Sequence, residues 1–114
     1  MPLRVNAKFP HIPPSTLADF KRTAAEALEL AKREPGALQY DWFLNDSATV
    51  CVVHEAFTDS AAVLAHIGNL GDVFGKLLET GGGCTFEVFG NPTDELRKAV
   101  GGLDLTVFTH LHGK

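Results

Sequence analysis

Apolar and polar residues alternate over positions 3–9. Leu3, Val5, Ala7 and Phe9 share one parity, and Arg4, Asn6 and Lys8 the other. This pattern predicts a strand with one buried face. Pro10, Pro13 and Pro14 end it in a stiff loop. The period then changes: Leu17, Phe20, Ala24, Ala27, Leu28 and Ala31 recur at helical spacing. Thr16 with Asp19 reads as a capping box at the start of this helix. Lys32 and Arg33 suit its C-terminal dipole, and Pro35-Gly36 stops it. Residues 37–44 and 49–57 read as two strands. The turn cluster Asn45-Asp46-Ser47 joins them into a hairpin. Thr58 or Asp59 caps a short helix that Gly68 and Gly71 interrupt. A second stripe follows, with Leu70, Val73, Phe74, Leu77 and Leu78, and Gly81-Gly82-Gly83 ends it. Residues 84–89 form a fourth strand. Asn91-Pro92 opens a last short helix with proline at its first position, and Gly101-Gly102 closes it. Residues 103–108 are a small fifth strand or an extended tail.

The order β-α-β-β-α-β, with a helical tail, is that of the split βαβ or ferredoxin-like unit. The expected class is therefore α+β, with an antiparallel sheet and helices on one face. No repeat, linker or low-complexity stretch divides the chain, so residues 1–114 are expected to form a single domain. The third strand is apolar on both parities: Val52 and Ala56 on one, Cys51, Val53 and Phe57 on the other. A sheet with an apolar second face needs cover. We therefore expect a homodimer in which two sheets pack face to face about a twofold axis.

Composition narrows the function classes. With 45% apolar and 21% charged residues, the 114-residue chain resembles ordinary globular proteins and excludes a disordered, coiled-coil or collagen-like one. A net charge of −4, with Lys and Arg scattered among acids, argues against nucleic acid as a partner. No run approaches the about 18 apolar residues of a membrane span. The N-terminus lacks the apolar core of a secretion signal, so the cytoplasm is the expected location. Cys51 and Cys84 each sit in an apolar strand run and read as buried thiols. The eight Phe residues fit a core or an apolar pocket equally well.

Motifs for familiar chemistries are sparse. The five histidines show no helical i, i+4 pair, and there is no Cys-x-x-Cys, so no metal is expected. His11 lies in a proline loop, and His110 and His112 in a polar tail; all three read as surface residues. The glycine run at 81–83 follows a helix and precedes a strand, opposite to the order of a phosphate loop. No dinucleotide fingerprint is present, although flavin sites have no universal signature. Ser15, Ser47 and Ser60 occupy cap or turn positions rather than a nucleophile elbow. What remains is a set of polar groups in apolar surroundings. Asn6, His54 and Glu55 lie in strands, Tyr40 and Trp42 share a strand face, and His66 is on the short helix. Asn6, Tyr40, Trp42, His54 and His66 could line a pocket between sheet and helices. Each could equally be a satisfied polar group of the core. Glu55 reads first as a structural group, bonded across a dimer.

Two segments carry a resemblance. Glu34-Pro35-Gly36-Ala37-Leu38-Gln39-Tyr40 resembles the Glu-Pro-Gly-x-x-x-Tyr segment of the antibiotic biosynthesis monooxygenase-like family. Val53-His54-Glu55-Ala56-Phe57, followed by the stretch from Ala62 to His66, resembles its Glu-x-aromatic strand end and Ala-x-x-x-His helix. The likeness runs over residues 3–89. It implies a ferredoxin-like subunit in a dimeric α+β barrel, and an oxygenase acting without metal or flavin on a quinol or polycyclic phenol. His54, His66 and Asn6 are then the candidate catalytic residues, and Tyr40, Trp42 and Phe74 the candidates for binding an aromatic substrate. The departures point elsewhere. Oxygenase relatives often place Trp where this chain has His66, and many carry a further His where it reads Ile67-Gly68-Asn69-Leu70-Gly71. The second helical stretch offers no axial His for haem. The family also includes an isomerase-type branch and many members of unknown role, so the alternative reading is a non-oxygenase relative, an isomerase or a small-molecule binding protein of the same fold.

Overall fold

The computed structural model describes residues 2–114. Five strands and four helices follow one another as β1 (Leu3–Phe9), α1 (Leu17–Ala31), β2 (Ala37–Leu44), β3 (Cys51–Phe57), α2 (Ser60–Leu70), α3 (Asp72–Thr80), β4 (Thr85–Phe89), α4 (Asp94–Ala99) and β5 (Leu105–Phe108). The strands form one sheet in the order β2-β3-β1-β4-β5. The first three pairings are antiparallel, and β5 joins the edge parallel to β4. The result is an α+β, ferredoxin-like fold whose sheet is extended by one mixed strand.

The helices cover one face. Leu3, Val5, Ala7 and Phe9 of β1 point toward them and are buried, as are Cys51, Val53, Glu55 and Phe57 of β3. From α1, Phe20, Thr23, Ala27 and Ala31 close the layer, and Val73 and Leu77 of α3 join them. Phe20, Phe57, Leu3 and Val53 are sealed almost completely. Each contributes roughly 1.5–3 kcal/mol by leaving water. The other face is open. It carries Arg4, Asn6 and Lys8 beside Val52, His54 and Ala56, with Phe43, Phe89 and Phe108 around them. Phe43 is 53% exposed and Phe108 44%, high values for large apolar side chains.

Several element ends depart from expectation. Thr16 does not cap α1. Its hydroxyl donates to the Thr80 carbonyl at 2.7 Å and so ties the start of α1 to the end of α3. Pro14–Thr16 form a 3-10 turn before the helix. Asp59 does cap α2, accepting from the Ala62 N–H at 2.8 Å. Gly68 lies within α2, and the break falls at Gly71, whose φ of +52° suits only glycine. The last helix starts at Asp94 rather than at Pro92, because the Thr93 hydroxyl accepts from the Leu96 N–H and caps it there. In the 103–108 segment, the strand is confined to Leu105–Phe108.

β2 contains the irregularity that matters for function. Ala37 pairs with Phe57, yet Gln39 pairs with Ala56, so Leu38 is an extra, bulged residue. Beyond the bulge the parity is exchanged. Tyr40 and Trp42 now lie opposite Glu55 and Val53, on the helix side. A regular strand would have turned both aromatic side chains to the open face.

Candidate active site

A cavity of about 270 Å³ lies between the sheet and helices α2, α3 and α4. Its walls are mainly aliphatic and aromatic, from Val5 and Phe9 at the sheet to Leu70 and Phe74 at the helices. Tyr40, Trp42, Glu55 and His66 supply polar groups on the side nearest β2 and β3. Phe74 also packs against Phe86, with ring centroids 6.0 Å apart.

His66 is the best-defined of these groups. It is buried in α2, and its ring meets Tyr40 edge-on at 4.9 Å and lies 5.1 Å from Phe57. Its Nδ1 lies 2.9 and 3.0 Å from the two carboxylate oxygens of Glu34. A carboxylate only accepts, so Nδ1 carries the hydrogen and Nε2 keeps its lone pair. Burial lowers the His66 pKa below its usual value, and the Glu34 hydrogen bond and charge only partly oppose this. The imidazole is therefore neutral at pH 7 and free to take a proton at Nε2.

Glu34 lies just past the C-terminus of α1, where the helix dipole disfavours an acid. Its partners account for it: besides His66, the Asn69 amide donates to Glu34 Oε2 at 2.8 Å and to the Leu30 carbonyl at 2.9 Å. The loop is pressed onto α2 at Gly36. A Cβ there would come within 2.6 Å of the Ala62 Cβ, and the Thr58 N–H donates to the Gly36 carbonyl at 3.0 Å. The Pro-Gly pair thus holds Glu34 behind His66.

Glu55 faces His66 from β3, with Oε1 3.6 Å from Nε2. That separation is beyond hydrogen-bond range. Burial, reinforced by the charge of Glu34, pushes the Glu55 carboxyl up to about 8, so it is protonated at neutral pH. Burial raises the Tyr40 phenol far above its ordinary value, with the charges of Glu55 and Glu34 adding to the effect, so it remains a donor. The Trp42 indole N–H is buried without a partner. Such a group costs free energy unless something accepts from it.

The family model for antibiotic biosynthesis monooxygenase matches residues 2–69, more than half of the chain. The protein belongs to the antibiotic biosynthesis monooxygenase family. Solved structures agree at the level of the fold. MupZ from Pseudomonas fluorescens aligns with a TM-score of 0.80 at 22% identity, over 99% of this chain and 92% of MupZ. Rv0793 from Mycobacterium tuberculosis gives 0.71 at 18% identity, over 82% of this chain and 97% of its own. A candidate antibiotic biosynthesis monooxygenase from Caulobacter crescentus gives 0.67 at 22% identity, over 76% and 86%. No curated protein sequence matches the chain.

Within this family member, the residues singled out from sequence fall into two groups. His66, Tyr40, Trp42 and Phe74 line the cavity. Asn6 and His54 do not. They are neighbours across the β1–β3 pairing, but both lie on the open face of the sheet, where His54 is exposed and its ring lies tilted against Phe43 at 5.0 Å. Their parity is that of Arg4 and Val52, opposite to Val5 and Glu55. Glu34 and Asn69 were not singled out as site residues. The one pointer to Glu34 was its unfavourable place at a helix C-terminus within the Glu-Pro-Gly motif. Cys51 and Cys84 are free thiols raised to about 11 and about 12 by burial, so neither is a nucleophile at pH 7. Among the described residues, no three His, Cys, Asp or Glu side chains gather as a metal-holding group, and no helix is long and apolar enough to cross a membrane.

Proposed function

We propose that the protein is a monooxygenase that oxidises a quinol or polycyclic phenol with dioxygen and needs no cofactor. The observation that supports this best is the His66 imidazole. Glu34 holds it at Nδ1, and the ring lines a mainly apolar cavity with Nε2 toward Glu55. A neutral imidazole in that position takes a proton from a phenolic O–H, or from the methylene carbon of an anthrone-like tautomer. The resulting anion is electron-rich and reduces dioxygen itself. Carbon bonds to oxygen, and His66 returns its proton as the hydroperoxide loses water. One methylene and one dioxygen become one carbonyl and one water, so atoms and electrons balance. The Trp42 N–H and the Tyr40 O–H are the donors available to the oxyanion. The apolar walls keep bulk water from quenching the anion.

The reading includes a second copy of the chain. The open face, with Phe43, Phe89 and Phe108 exposed, fits the sheet-to-sheet interface of a dimeric α+β barrel. Phe89 and Phe108 already stack at 5.3 Å and present one flat apolar surface.

One observation favours an isomerase instead. A neutral acid, Glu55, faces a neutral base, His66, and such a pair can move a proton between two substrate atoms without oxygen. Oxygen-electrode assays with anthrone and menadiol-like quinols separate the two. The monooxygenase reading predicts uptake well above background, with one dioxygen consumed per anthrone. Background uptake, together with enzyme-dependent exchange of solvent deuterium into the substrate without oxygen, would replace it with the isomerase.

A further inference from the structure

The cavity has a second end that this chemistry does not use. It runs on beneath α4 and β5, past Leu96, Val100, Leu105 and Val107. This part of the chain lies outside the 2–69 family match. Its walls are aliphatic, with one exception. Arg97 is the only Lys or Arg among the described residues that line the cavity. Its Nε–H donates to the Pro92 carbonyl at 3.3 Å, which fixes the guanidinium plane near the cavity edge. No carboxylate of the described residues pairs with it. The side chain is exposed, so its charge needs no internal partner, and its terminal nitrogens remain free.

The two ends lie on different elements. Arg97 is on α4, whose capping Thr93 donates its N–H to the hydroxyl of Ser60 at the start of α2 at 3.0 Å, and His66 lies six residues further along α2. We infer that Arg97 anchors a carboxylate, and that the substrate is an elongated fused-ring compound carrying that acid at the end remote from the ring His66 deprotonates. This inference rests on the reading of His66 proposed above. A guanidinium fork matches a carboxylate with two parallel hydrogen bonds, whereas a neutral end group would gain little there. Anchoring one end would also fix which ring reaches Nε2, making Arg97 a determinant of position as well as affinity.

Two fluorescent probes of the same skeleton test this without turnover: anthracene-2-carboxylate and its neutral counterpart 2-(hydroxymethyl)anthracene. The wild-type protein should bind the carboxylate at least about tenfold more tightly, a preference that shrinks as salt is added. Arg97→Gln should erase the preference and leave the affinity for the neutral probe unchanged. Arg97→Lys should keep part of it. Equal wild-type affinities, or a preference that survives in Arg97→Gln, would overturn the anchor and leave the His66 chemistry standing. No saturable binding of either probe would overturn both.

Discussion

At the residue scale, burial favours the neutral forms of both Glu55 and His66, which face each other in the site. Glu34 serves as an acceptor behind His66. Removing it leaves the buried Nδ1–H and the Asn69 amide each without this partner. Glu34→Ala should therefore cost roughly 1–3 kcal/mol in urea unfolding and lower kcat by about a hundredfold, as the imidazole loses its orientation. Glu55 sets a pH dependence of opposite sign to His66. Between about pH 4.5 and 8, Glu55 is ionised when the chain is unfolded but protonated when folded. The folded state then holds the extra proton, so this contribution to stability falls as pH rises through that window. His66 behaves in the reverse sense. Its pKa is lowered, so its contribution is present above 6.5 and is lost as pH falls below it. Glu55→Gln mimics the protonated acid. Thermal melts should show it more stable than wild type at pH 8.5 and no more stable at pH 4. In the rate profile, wild-type activity should fall above about pH 8 as Glu55 ionises beside the base, and Glu55→Gln should lose that upper limb.

At the element scale, the bulge and the glycine determine where the site forms. The alternation in β1 and the helical stripes of α1 and α3 are legible in sequence because each follows a clean period. The pocket was only half legible, because Leu38 adds one residue to β2 and exchanges its faces. Periodicity also leaves open which parity meets the helices, and that choice separates His54 and Asn6 from His66. The parity of β3 follows from its pairing with β1, a contact between residues far apart in sequence. Glu34 escaped for a related reason: its partners His66 and Asn69 lie on α2, across the Gly36 contact. Gly36→Ala should push the loop away from Ala62. The expected cost is about 1–3 kcal/mol. Because the displaced carboxylate no longer reaches His66, kcat should fall alongside Tm; an unchanged kcat would place the loop outside the mechanism.

At the scale of the whole molecule, the open face and the cavity lie on opposite sides of the same sheet. Sedimentation at micromolar concentration should show twice the 12.3 kDa of one chain. Phe89→Asp should shift it to the monomer by placing a charge amid the apolar surface. A wild-type monomer would leave the face without the cover proposed for it. The residues of one chain line the cavity, so the proposed chemistry rests on His66 and its supports rather than on the interface. The most direct test is oxygen consumption with anthrone as substrate by wild type and by His66→Gln, each checked for native circular dichroism. Gln fills a similar volume and can still donate to Glu34, but its amide cannot take a proton. The account predicts rapid uptake by wild type and a loss of about 10²- to 10⁴-fold in His66→Gln. Equal rates in the two folded proteins would contradict it.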